Sequence, residues 1–243
     1  MSDHVSELIL SENILKDMGF VLPLTAKILD FGCGAGAAVE AFPDRGYGQV
    51  YGYDVENYLS KKHSNDSSHF FFSIEEMATH KGSFDFVFSN QVFEHVMDYP
   101  QTIQQIYDLL KPGGISLHYF PSKWRVIEPH IYVPFAGAIS SKAYLHFWAK
   151  MGVRNEFQGG KSPAAVCEQN YNYCQNNLNY LSSGELYEKF NALFRRVEFR
   201  EDLFIKHSPG RLRHISKILK YIPGVPYCMR TFHAHTVFLQ KPF

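Results

Sequence analysis

The chemistry of this chain concentrates where an apolar run, Ile28-Leu29-Asp30-Phe31, gives way to Gly32-Cys33-Gly34-Ala35-Gly36. Glycines at alternate positions permit a tight turn in which the backbone approaches a ligand and presents amides ahead of a helix. The same spacing, Gly32-x-Gly34-x-x-Ala37, also satisfies the dinucleotide fingerprint of dehydrogenases, so the turn alone implies only nucleotide binding. Two acids narrow the ligand. Asp30, two residues before the first glycine, would repel a pyrophosphate and attracts a cationic group. Asp54 ends the next apolar run, Gln49 to Tyr53, where a carboxylate can accept both hydroxyl hydrogens of a ribose. Cys33 reads as a small packed residue of the turn rather than a nucleophile.

A second group of residues can handle protons: His95, His118, Glu128 and His130. His118 lies inside an apolar run and reads as a core histidine. His95 stands beside Glu94, and that pair reads equally as the rim of a ligand cleft or as helix-starting scaffold. Trp124, Arg125, Glu128, Pro129, His130, Tyr132 and Pro134 follow the fifth apolar run, at the carboxyl edge where open α/β sheets bind ligands. They form the candidate substrate site; the rival is a proline-stiffened loop whose polar residues face water. The catalytic candidates are therefore His95, Glu128 and His130. No metal is expected, because Cys167 and Cys174 are irregularly spaced with respect to His130 and His146.

Five apolar runs must position these groups: Lys27 to Phe31, Gln49 to Tyr53, His69 to Phe72, Phe84 to Ser89 and Ile115 to Phe120. Alternating with helical patterns, they predict a parallel sheet covered on both faces. Val5, Leu8, Ile9, Glu12 and Leu15 predict a first helix beside the ligand cleft. Ser73-Ile74-Glu75-Glu76 reads as a capping box, and Asp98 with Pro100 opens a helix carrying Ile103, Ile106, Tyr107 and Leu110, stopped by Lys111-Pro112-Gly113-Gly114. From Pro121 to about Tyr180 the alternation lapses. Ser140 or Ser141 caps a helix there with Tyr144, Phe147, Trp148 and Met151, ended by Gly152, which makes 121–180 an insertion or lid over the substrate side. Ser182-Ser183-Gly184-Glu185 opens another helix to Phe194, Arg196 to Arg200 and Ala234 to Leu239 read as strands, and Leu212 to Ile222 as an amphipathic helix with a basic face.

With 45% hydrophobic residues among 243, the chain suffices for one domain, 1–243, with an elaborated insertion. Twenty-four basic residues balance 24 acidic ones, so no net field favours nucleic acid. The four cysteines lack a disulfide framework, Met1 to Phe20 carries acids unsuited to a signal peptide, and no run approaches a membrane span. A cytoplasmic protein acting on a small-molecule partner is expected, and a homodimer is compatible with the sequence.

The chain resembles the class I S-adenosylmethionine-dependent methyltransferases, especially the group related to ubiquinone and menaquinone biosynthesis methyltransferases. The resemblance covers about Lys27 to Phe120 and rests on five segments. They are Ile28 to Gly36, Gly52-Tyr53-Asp54, Phe84 to Asn90, Phe93-Glu94-His95-Val96 and Leu110 to Gly114. It implies a Rossmann-like doubly wound α/β fold with seven strands, mostly parallel with an antiparallel last strand. It also implies S-adenosylmethionine as cofactor, held at Asp30, Gly32, Cys33, Gly34, Gly36 and Asp54, with Asn90 at the methionine end. The family's acidic adenine contact after the third strand falls on Ser73, which shifts the expected contact to Ile74 and Glu75. The abundant aromatic residues of the insertion suit a sugar or an apolar tail, and the available bases favour oxygen as acceptor atom: a glycan or sugar intermediate, or a lipid-like metabolite. Two rivals are a noncatalytic S-adenosylmethionine-binding partner and an NAD-dependent oxidoreductase, the latter opposed by Asp30 and by the lack of a Tyr-x-x-x-Lys pair.

Overall fold

A computed structural model describes residues 3–59, 67–207, 222 and 224–243. The expected basic-faced helix over Leu212 to Ile222 lies largely outside them. Seven strands form one sheet: β1 (Lys27–Phe31), β2 (Gln49–Tyr53), β3 (Phe70–Phe71), β4 (Phe84–Asn90), β5 (Leu110–Pro121), β6 (Arg196–Phe199) and β7 (Ala234–Gln240). Their spatial order is β3-β2-β1-β4-β5-β7-β6. Neighbouring strands from β3 to β5 pair in parallel, and β7 runs antiparallel to both β5 and β6. The antiparallel final strand is the one expected.

The α-helices among the described residues are α1 (Asp3–Asp17), α2 (Ala37–Ala41), α3 (Tyr99–Leu109), α4 (Lys142–Lys150), α5 (Pro163–Asn177), α6 (Ser183–Asn191), α7 (Glu201–His207) and α8 (Val225–Phe232), with short 3₁₀ turns between. Because successive strand residues point to opposite faces, one chain segment feeds two cores. Leu29, Val87, Phe120 and Val237 pack with residues of α3 and α6 on one face. Ile28, Phe86, Leu117 and Phe238 pack with residues of α1, α2 and α7 on the other. The stretch after β5 has a smaller core of its own, in which Ile131, Val133 and Ala136 meet Leu145, Cys167 and Cys174.

Local signals set the helix ends. The Asp98 carboxylate accepts from the amide of Gln101 at 3.0 Å, with Pro100 in the first turn, as expected. Asp98→Ala is expected to cost about 1 kcal/mol, read as a lower urea midpoint at unchanged slope. Ser182 and Glu185 cap α6 reciprocally, and Ser141 caps α4. Ser73 behaves differently. Its hydroxyl accepts from the Glu76 amide at 3.3 Å, but Glu76 reaches back to the amide of Phe72, and the capped piece is a short 3₁₀ helix, Glu76–His80. The expected stop at Lys111 to Gly114 is absorbed into β5: Leu110 already pairs with Phe84, and the irregular residues form a bulge before Ile115 meets Phe86.

Candidate functional site

The glycine turn leaves β1 at the carboxyl edge of the sheet. Gly32 has φ +87°, and a Cβ there would lie 2.2 Å from Cγ2 of Val92, so glycine is required both by conformation and by space. Gly34, at φ +51°, has nothing within 4 Å of the equivalent position and faces open space. The amides of Gly32 and Cys33 donate to the carbonyl of Tyr53, and the amide of Gly34 donates to Oδ2 of Asp54 at 2.8 Å. The turn is thus tied to the end of β2, and Asp54 stands against it with further acceptor capacity on its carboxylate. Asp30 is buried in the strand just before. Cys33 is buried as well, and desolvation together with the charges of Asp30 and Asp54 pushes its thiol far up, which removes it as a nucleophile. Gly36 closes the turn against the ring of Phe70.

Ser73, Ile74 and Glu75 follow β3, on the flank beyond β2, with Ile74 partly packed into the core and Glu75 exposed. Asn90 ends β4. The next residue, Gln91, adopts φ +57° and turns the chain off the sheet, so that Val92 lies over Gly32 and a short helix, Phe93–His95, begins. An apolar cavity of about 190 Å³ opens beside Asn90, between Ile14 of α1, Phe88, Tyr119 and Phe204 of α7.

The expected proton-handling residues meet in space across 35 residues of chain. The His95 and His130 rings lie 4.9 Å apart, edge to face. Glu128 sits in a tight loop whose ends bridge at Ile127 and Pro134. Its buried carboxylate accepts from His130 Nδ1 at 2.6 Å, from the amides of His130 and Ile131 at 2.8 Å each, and from the Tyr180 hydroxyl at 3.0 Å. Burial pushes this carboxyl up, but the His130 hydrogen bond and charge and the two amides outweigh it and hold Glu128 below the usual value. His130 answers in kind: burial lowers it, and the Glu128 hydrogen bond and charge carry it above the ordinary histidine value. His95 Nδ1 bonds the carbonyl of Asn177 at 2.8 Å, and burial keeps this ring below the ordinary value. In both rings Nδ1 is engaged, which leaves each Nε2 as the reactive nitrogen.

Glu94 joins them from below. It is fully buried, neither carboxylate oxygen has a hydrogen-bonding partner among the described residues, and burial pushes it up to about 7. Ligand-type atoms of Glu94, His95 and His130 lie within 4.8 Å of one another. This is a different grouping from the cysteine and histidine set that the spacing disfavoured. His118 is a core residue, as expected, bonded through Nδ1 to Ser89 at 2.8 Å.

The other residues expected near the substrate divide. Pro129 and His130 line a polar cavity closed by α5 and the loop before it, while Arg125, Pro129 and Tyr132 face a second opening against Phe232 and His233. Trp124 is largely exposed. Tyr173 of α5, one of the aromatic residues of the insertion expected to pack a lid or form a pocket, lines the polar cavity, whereas Asn170 of the same helix and Tyr180 after it were not among the expected site residues.

Residues 4–160 match the model of a family described as a methyltransferase domain, which is more than half of the chain. The chain belongs to the class I S-adenosylmethionine-dependent methyltransferases. A ubiquinone biosynthesis O-methyltransferase of Saccharophagus degradans is 38% identical over 96 residues, 36% of this chain and 40% of that protein. A malonyl-[acyl-carrier protein] O-methyltransferase of Calditerrivibrio nitroreducens is 33% identical over 88 residues, 36% of this chain and 35% of that protein. The chain thus aligns with well under half the length of these curated relatives. Among solved structures, an S-adenosylmethionine-dependent methyltransferase from Mesorhizobium loti superposes with a TM-score of 0.53 over 97% of this chain and 100% of that one, at 13% identity. At that identity the similarity speaks for the methyltransferase fold. No helix among the described residues is long and apolar enough to cross a membrane.

Proposed function

We propose that this methyltransferase carries a methyl group from S-adenosylmethionine to an oxygen of a small-molecule acceptor, with His130 as general base, Glu128 orienting it and His95 alongside. The observation that carries the reading is the 2.6 Å bond from a buried, fully partnered carboxylate to His130 Nδ1. Such a bond fixes the tautomer and leaves Nε2 as proton acceptor, as in hydrolase His-Asp pairs. The residues at the glycine turn fit the cofactor. Open space over Gly34 admits a ligand to the backbone, Asp54 has acceptor capacity for ribose hydroxyls, and buried Asp30 supplies negative charge near a sulfonium. Asn90 is assigned to the methionine end, and Ser73, Ile74 and Glu75 to the adenine end.

When bound, S-adenosylmethionine supplies an activated methyl group on sulfur. His130 Nε2 would take the proton of the acceptor hydroxyl as that oxygen takes the methyl group, with the cofactor leaving as the neutral thioether. Alignment and exclusion of water supply the rest of the rate. Segment 121–180 is assigned as the lid that does this. The four free cysteines suit a reducing cytoplasm.

This base must be deprotonated to act. Because His130 is held above the ordinary histidine value, kcat/KM is expected to rise with pH to a plateau, with its midpoint above the ordinary value, and Glu128→Gln is expected to move that midpoint down. A profile unchanged by Glu128→Gln would contradict the assignment. The proposed proton transfer uses His130 Nε2 with Glu128 behind it and calls on no metal. Turnover is therefore expected to survive dialysis against EDTA; a loss restored by a divalent cation would make Glu94, His95 and His130 ligands instead. The whole reading is tested by release of S-adenosylhomocysteine against a panel of hydroxylated acceptors.

A further inference from the structure

We infer that the polar cavity of about 430 Å³ beside His130 is the acceptor site and that it takes an uncharged polyhydroxylated ring, a monosaccharide unit. This rests on the methyl-transfer reading for what happens to the ring, not for its binding. The volume falls in the range of small-ligand pockets. Its wall is built from carboxamides whose orientation the surrounding bonds dictate. Gln158 is buried; its Oε1 accepts from the amide of Asn155 at 3.2 Å, so its Nε2 is the end that donates to Asn170 Oδ1, at 2.6 Å. That leaves Nδ2 as the free donor of Asn170, a residue that lines the cavity. Asn170 is 1% exposed, and this nitrogen has no partner among the described residues.

A buried donor left without a partner is costly, and a hydroxyl oxygen entering the cavity would satisfy it. The charges at the cavity mouth are already engaged and offset each other. Lys161 bonds Gln169 Oε1 at 3.1 Å, and Glu156 accepts from the Tyr132 hydroxyl at 2.9 Å. Neither sign of ligand charge is favoured. Phe157, 77% exposed at the same cavity, offers a ring face to the C–H face of a sugar, and Tyr173 supplies a second aromatic wall against His130 at 5.5 Å. An apolar tail would leave the carboxamides without partners on entry; its place is the apolar cavity beside Asn90. A hydroxyl on a ring seated in the polar cavity faces His130, which lines the same wall.

The test is saturation-transfer NMR on the full chain with S-adenosylhomocysteine present. The probes are methyl α-D-glucopyranoside, methyl α-D-mannopyranoside and methyl α-L-rhamnopyranoside, with 3,4-dihydroxybenzoate as the aromatic comparison. At least one glycoside is expected to receive saturation. Asn170→Asp keeps the bond from Gln158 but removes the free donor, and it is expected to weaken that binding about tenfold. Phe157→Ala, at an exposed position that leaves the fold intact, is expected to weaken it as well. Calorimetry of S-adenosylmethionine binding on the same samples separates the two readings. Cofactor binding with saturation of the dihydroxybenzoate alone overturns the sugar site and leaves methyl transfer standing. Glycoside binding untouched by both variants also overturns it. Glycoside binding that responds to both variants, in a protein that does not bind the cofactor, upholds the cavity and overturns methyl transfer.

Discussion

His130→Ala is expected to lower turnover by about 10²- to 10⁴-fold while leaving S-adenosylmethionine affinity unchanged. The size follows from what the variant removes: among the described residues, the one Nε2 whose ring is locked by a buried carboxylate, here Glu128. Glu128→Gln should fall short of that loss if tested at high pH, because the imidazole remains and only its tautomer and basicity suffer. Glu128 also holds the amides of His130 and Ile131 and the hydroxyl of Tyr180, so Glu128→Ala would disorganise the loop as well as the base. For that reason the glutamine variant isolates the chemistry. Full turnover in His130→Ala with normal cofactor binding would remove this residue from the mechanism and pass the role to His95.

The second large effect concerns the cofactor. Asp54→Ala is expected to weaken S-adenosylmethionine binding by about a hundredfold or more, since two charge-assisted hydrogen bonds are lost at about 1.5–3 kcal/mol each. The variant also frees the amide of Gly34, which Asp54 Oδ2 holds at 2.8 Å, so the glycine turn loses an anchor. Asp54→Asn separates the two contributions. It keeps an oxygen for the amide of Gly34 but gives up the charge, and binding should fall between wild type and alanine. Equal affinity in all three proteins would remove Asp54 from the ribose contact.

The ligand edge of the sheet was legible in the sequence because its signals are local. A strand buried on both faces reads as an apolar run, and β1 and β2 begin and end where those runs do. Asp30, Gly32, Gly34 and Asp54 are tied to those strand ends, so spacing alone brings them together. Glu128 and His130 were legible as separate proton-handling candidates, but the bond between them was not.

What escaped was set by distance or by weak patterning. The buried stripe of α5 is Val166, Cys167, Asn170 and Cys174, a cysteine and asparagine face where periodicity looks for leucine and isoleucine. With that helix unread, Asn170 could not be assigned to the cavity it lines, and Tyr173 stood only as one of several aromatic candidates. α8 buries no residue fully, and at eight residues it spans barely two turns in which a period can repeat. Tyr180 reaches Glu128 across 52 residues, and no local rule connects them. Glu94 was seen beside His95, yet its isolation from any hydrogen-bonding partner is a property of packing and not of spacing.

The most direct measurement is calorimetric titration of S-adenosylmethionine into the folded protein, repeated with S-adenosylhomocysteine as competitor. Saturable binding at one site per chain, displaced by the competitor and weakened by Asp54→Ala, is the predicted result. A sample shown to be folded by circular dichroism that takes up neither compound would contradict the account at its centre.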